Sequence, residues 1–167
     1  RPWQTGVYTN NDPAQGVLKD VSTINRHFLA NGYNTLGGGK IYHNFNAEGR
    51  QDSWTEWAGL FPSIKGHEEN FNGLKRGHFD WGPVDAKPAD MGDYKLTDWA
   101  IDLLKTAPAE KPLFLAVGYV KPHLPWYVPQ EYFDRFPLAD IKLPVTKEND
   151  LADVPTQGVK MAGPEGD

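Results

Sequence analysis

Cysteine is absent from this chain of 167 residues, which excludes disulfides, thiolate zinc sites and a cysteine nucleophile within it. That absence leaves the compartment open. No apolar stretch reaches the ~20 residues that span a bilayer, and no signal peptide is visible. Positive charge is in the minority: 17 Lys and Arg face 22 Asp and Glu, a formal net charge of −5. Such a chain gains no bulk attraction for nucleic acid or an acidic membrane, so an anionic ligand must be held by a local cluster. An initiator Met is also missing. The chain opens on Arg1-Pro2-Trp3, so processing or truncation before it is expected, and residues 162–167 read as loop.

What is present is globular in character, with 39% hydrophobic and 23% charged residues. The length suits one domain with a core that buries roughly 70% of the unfolded surface. The 14 prolines and 17 glycines predict much loop. Residues 1–21 are turn-rich, with a turn signal at Asn10-Asn11-Asp12-Pro13. Ser22 or Thr23 can cap a helix with Ile24, Phe28 and Leu29 on one face, stopped at Gly32. Tyr33-Asn34-Thr35-Leu36 then reads as a short strand entering glycines. Residues 44–94 lack helical or strand period, and Trp54, Trp57, Phe61, Phe71, Phe79 and Trp81 are spread through them. Two readings fit: an excursion pinned by aromatic anchors, or a substrate-facing loop. Thr97 is expected to start an amphipathic helix that ends before Pro108. After a turn at 107–111, the apolar run 112–119 suits a central parallel strand covered on both faces. Pro129 can open a short helix through Phe136, and from Pro137 the chain reads as irregular. The alternation of helix and strand is an α/β pattern.

Two clusters follow the predicted strands, where open α/β sheets bind ligands. In Gly37-Gly38-Gly39-Lys40-Ile41-Tyr42-His43, glycines let the backbone approach a ligand closely. Lys40 offers a point charge for an anionic oxygen, and His43 can move protons near neutral pH. A Walker loop would need Ser or Thr after the lysine, and Ile41 stands there. In Lys121-Pro122-His123-Leu124-Pro125, two prolines stiffen the backbone around His123 and set where the imidazole points. The bland alternative is a glycine-rich strand end and a proline-rich turn with surface side chains. His27 reads as a mid-helix surface residue. His67 and His78 lack the spacing of a metal site, and Asp80, Asp85, Asp90 and Asp93 lack the calcium-loop pattern and read as solvated carboxylates. No Gly-x-Ser-x-Gly elbow is present.

Taken together, four stretches resemble the type I sulfatases of the alkaline-phosphatase-like superfamily, and most closely its iduronate-2-sulfatase-like branch. They are Arg1-Pro2 with Thr5-Gly6-Val7-Tyr8, the run from Ile24 to Thr35, Gly39-Lys40-Ile41-Tyr42-His43, and the long signature from Phe114 to Pro125. The likeness weakens over 44–90 and after 145. It implies an α/β, alkaline-phosphatase-like fold of mainly parallel strands with flanking helices and long loops. Residues 1–167 would be an internal segment of a single catalytic domain. The resemblance implies that Lys40 binds the sulfate and steadies the nucleophile, that His43 contacts the nucleophile's hydroxyl, and that His123 contacts the sulfate and the leaving oxygen. Lys121 falls inside the matching motif as a substrate-binding candidate.

The family's nucleophile is a formylglycine made from Cys or Ser in a Cys/Ser-x-Pro-x-Arg motif, expected shortly before Arg1. Its calcium-binding carboxylates are expected upstream and beyond Asp167, so no metal ligand is assigned within the chain. The implied parent is a periplasmic or secreted sulfuric ester hydrolase acting on a sulfated saccharide or similar small molecule, and the isolated chain is expected to be inactive. One rival is a phosphate or phosphonate ester hydrolase of the same superfamily. Another is a carbohydrate-binding module stacking sugars on Trp54, Trp57 and Trp126.

Overall fold

The computed structural model describes residues 1–9, 12, 21–43, 51–64, 70–74, 79–106 and 110–162. Most of the turn expected at 10–13, His67 and His78, and the turn residues 107–109 lie outside the described residues. The elements run α1 (Pro2–Thr5), α2 (Ile24–Ala30), β1 (Asn34–Gly39), β2 (Glu56–Gly59), β3 (Trp81–Val84), α3 (Gly92–Thr106), β4 (Leu113–Gly118), β5 (Trp126–Pro129), α4 (Gln130–Asp134) and α5 (Thr156–Met161). Contacts cluster into two compact units, Arg1–Phe133 and Asp134–Asp167.

Among the described residues, the first unit holds two all-parallel sheets, ordered β2-β1-β4 and β3-β5. β1 is the central strand of the larger sheet. Thr35 at its start is fully buried, and Leu36 through Gly39 are buried after it. The apolar run expected to be central is β4, which is half-buried along its length and pairs with β1 alone among the described strands. Apolar continuity therefore marked a sheet strand, while among the described strands it is β1 that has a neighbour on each side. The glycine-rich β1 takes the centre because large side chains press on both of its faces. A Cβ on Gly37 would lie 2.9 Å from the rings of both Trp54 and Trp57, and one on Gly38 would lie 2.9 Å from Trp99 of α3.

α2 ends as expected at Gly32, whose φ of +83° reverses the chain into β1. Its expected apolar face is only partly realised: Ile24 is exposed, and the buried residue is Asn25. Asn25 donates through Nδ2 to the Ser53 carbonyl at 3.0 Å, and Arg26 donates to Ser53 Oγ at 2.8 Å and pairs with Asp52 at 3.2 Å. Polar latches thus hold this helix to the segment that leads into β2.

The stretch 44–94 contains β2 and β3, where no element was expected. Each has four residues, too short to show a period. Trp54 is 6% exposed and its ring lies 5.5 Å from Trp57 and 6.2 Å from Phe114, which makes it a core anchor. Helix α3 begins at Gly92 instead of Thr97. Its fully buried Leu96 packs toward β1. Pro129 ends β5 and the helix starts at Gln130. In the second unit a 3-10 turn at Leu138–Asp140 and helix α5 interrupt the tail expected to be irregular, and Leu138, Leu143 and Val145 are exposed. No helix among the described residues is long and apolar enough to cross a membrane.

Candidate functional site

The carboxyl ends of β1 and β4 share one edge, because the strands are parallel and pair in register from Asn34 and Leu113 to Gly39 and Gly118. Their exits are locked together. Lys40 N donates to the Gly118 carbonyl at 2.6 Å. Neither glycine tolerates a side chain: a Cβ on Gly39 (φ +79°) would lie 2.0 Å from Gly118 O, and one on Gly118 would lie 2.4 Å from the Lys40 carbonyl. The glycine that ends each strand thus lets the other strand's exit approach. Lys40 follows β1 directly and is half-buried, and His43 is exposed three residues later.

Tyr42 anchors the loop between them. Its hydroxyl accepts from Trp54 Nε1 at 3.0 Å and lies 3.4 Å from Asn25 Nδ2, and its ring lies 5.5 Å from Trp57. The tryptophan-rich stretch therefore supports the Lys40–His43 loop from beneath.

On the β4 side, a compact turn carries Lys121 and His123. The Lys121–Pro122 and Leu124–Pro125 peptide bonds are cis. His123 N donates to the Val120 carbonyl at 3.0 Å, and Trp126 Nε1 donates to the Pro122 carbonyl at 2.6 Å. His123 is exposed, and its Nδ1 donates to the Leu124 carbonyl at 2.6 Å. That bond puts the proton of the neutral ring on Nδ1 and leaves Nε2 as its acceptor nitrogen. The ammonium of Lys121 turns inward and donates to the carbonyls of Pro125 and, at 3.4 Å, His123. Burial pulls the Lys121 pKa below its usual 10.5, and the nearby Asp93 charge partly opposes the shift.

Beside this turn lies a hollow of about 260 Å³, bordered by Met91, Asp93, Val120, Lys121, Pro125 and Tyr127. A second, of about 400 Å³, adds Tyr94, Tyr119 and Tyr132. Neither is lined by Lys40, His43 or His123, which stand at the open sheet edge. All four expected residues thus leave β1 or β4 at the same edge.

Two carboxylates differ from their expected solvated state. Asp80 is 3% exposed and accepts from Tyr127 OH at 2.7 Å, Asn72 Nδ2 at 2.7 Å and the amides of Phe71 and Asn72 at 2.9 and 3.1 Å. Burial alone would raise its pKa, but these bonds together lower it from 3.8 to about 2. Asp93 accepts from Val120 N and Lys121 N, both at 2.9 Å. Asp85 and Asp90 are exposed as expected, and Asp90 accepts from the Lys87 amide at 2.9 Å. The signal for Asp93 was its place just after a glycine at a helix start, where acidic residues are favoured. Starting the helix at Thr97 hid it. Of the three tryptophans read as a stacking platform, Trp54 is spent in the core, Trp57 packs on it, and Trp126 is 48% exposed.

The sulfatase family profile matches residues 2–148. A sulfatase of Formosa agariphila is 31% identical over 96% of this chain and 35% of its own length. Human iduronate 2-sulfatase is 33% identical over 86% of the chain and 28% of its own length. The uncharacterized sulfatase YidJ of Escherichia coli is 28% identical over 98% of the chain and 35% of its own length. The parallel strands and flanking helices are those of an α/β, alkaline-phosphatase-like fold, and the chain belongs to the sulfatase family. It spans about a third of the length of the curated relatives it matches.

Proposed function

We propose that this chain is a segment of a single catalytic domain that hydrolyses a sulfate ester, with a sulfated carbohydrate as substrate, and that it forms one wall of the active site. The observation that supports this reading is the lock between Lys40 N and Gly118 O, at the one sheet edge where both signature segments emerge. Sulfate transfer builds negative charge on the equatorial oxygens and on the leaving oxygen. Lys40 neutralises the sulfate. His43 hydrogen-bonds the hydroxyl of the nucleophile. His123, with Nδ1 held by Leu124, donates from a protonated Nε2 to the leaving oxygen. Lys121, whose ammonium is held on the carbonyls of His123 and Pro125, adds positive charge to the same turn.

In the whole protein, a formylglycine would supply the nucleophile and calcium would polarise the sulfate. The residues present do not fit that metal: among those described, no three His, Asp or Glu side chains cluster as a cage. Both groups are assigned to parts of the protein outside this segment. A location in the periplasm or outside the cell accompanies this reading.

The test is turnover of an aryl sulfate by the full-length protein and by the isolated chain. The isolated chain is expected to be inactive. In the full-length protein, Lys40→Ala and His123→Ala are each expected to lower turnover by ~10²–10⁴-fold. Activity of the isolated chain, or variants that keep the parental rate, would overturn the proposal. A phosphate or phosphonate ester hydrolase would instead favour the matched aryl phosphate.

A further inference from the structure

The geometry points to Asp93 as the residue that positions His123, acting through the backbone of the histidine turn. This rests on the proposed role of His123. Asp93 is the second residue of α3, and each carboxylate oxygen takes one amide of the strand exit, Oδ1 from Val120 and Oδ2 from Lys121. Such charge-assisted bonds are roughly twice as strong as neutral ones. They grip the two residues from which the turn springs, and Val120 also accepts the bond from His123 N at 3.0 Å. The Lys121 ammonium closes the other side on the carbonyls of His123 and Pro125. The backbone that carries His123 is therefore held between a carboxylate and an ammonium.

The lever is stiff at its other end. A Cβ on Gly92 would lie 2.6 Å from the Phe61 carbonyl, so the helix start is pressed against the 61–63 segment. Lys95 Nζ donates to the Pro62 carbonyl at 2.9 Å. Thr97 Oγ1 bonds the Asp93 carbonyl at 2.8 Å and the Tyr119 hydroxyl at 3.1 Å, tying the same helical turn to the residue before the grip. Leu96, 1% exposed, roots this turn in the core. A site held on such elements keeps its geometry, and a histidine displaced by about 1 Å can lose on the order of 10²-fold in rate.

The experiment is a double-mutant cycle in the full-length protein with an aryl sulfate, combining Asp93→Asn with His123→Ala. Asparagine keeps the size but turns an NH2 group toward one of the two amides. With His123 present, Asp93→Asn is expected to lower kcat by ~10–100-fold and to shift KM less than ~3-fold. With His123 removed, it is expected to change kcat less than ~2-fold, because the group it positions is gone. An equal loss in both backgrounds, or no loss with His123 present, would overturn the inference while leaving the role of His123 intact. A parental rate in His123→Ala alone would overturn that role and this inference with it. If Asp93→Asn does not fold, Asp93→Ser, another residue favoured at helix starts, replaces it. If His123→Ala falls below detection, calorimetric affinity for inorganic sulfate replaces the rate, with the same non-additive pattern expected.

Discussion

Gly39 shows what one atom decides at this site. Its φ of +79° disfavours any side chain, and a Cβ would meet Gly118 O at 2.0 Å, in the contact that joins the two site segments. Gly32 has a similar φ of +83° but nothing within 4 Å of its would-be Cβ. The pair separates strain from collision. Gly32→Ala is expected to cost about 1–2 kcal/mol, the usual left-handed penalty. Gly39→Ala is expected to exceed about 3 kcal/mol, because overpacking adds to it. Denaturant unfolding of the two variants checks this, and equal losses would mean that the exit of β1 can shift. In sequence the glycine run reads as room for a ligand. In the fold, Gly37 and Gly38 make room for three tryptophans, and only Gly39 serves the site, by letting Lys40 reach Gly118. Composition shows that space is needed and not what fills it. The placement of Lys40 and His123 after strands was readable because Lys40 follows a glycine run directly and His123 comes four residues after an apolar one. Asp93 was not, since its partners lie 27 and 28 residues away.

The short strands carry a second lesson. β3 and β5 pair over Trp81–Trp126 to Val84–Pro129, and Asp80 sits at the mouth of the pair. Its carboxylate gathers residues 71 and 72 from one side and Tyr127 from the other, while its own carbonyl accepts from Trp126 N at 2.9 Å. Because the folded carboxyl titrates at about 2 instead of 3.8, its contribution is present above 3.8 and is lost as pH falls through about 2. Asp80→Asn is therefore expected to lower the melting temperature near neutral pH. The gap to the parent should narrow as pH drops from about 4 toward 2. Melting curves across that window test it, and a gap independent of pH would show that the charge is not what holds the strands. In sequence, Asp80 looks like a loop carboxylate because four-residue strands present no alternation to read. Helix α3 was found and its start was not, because the apolar spacing begins later than the helix itself.

The parallel α/β plan follows from alternating helix and strand signals, and the structure has it. Strand order did not follow, because burial depends on what packs against each face. β1, poor in apolar side chains, is covered by Trp54, Trp57, Trp99 and Leu96, while the apolar β4 stays half-buried. Together these strands deliver Lys40, His43, Lys121 and His123 to one edge of one sheet, and that arrangement is the basis of the proposed sulfate-binding wall. The most direct measurement is the rate of the full-length protein on an aryl sulfate and on the matched aryl phosphate, each with and without His123→Ala. Preference for the sulfate and a loss of ~10²-fold or more on removal of the imidazole are expected. Preference for the phosphate, or an unchanged sulfate rate without His123, would contradict the proposal.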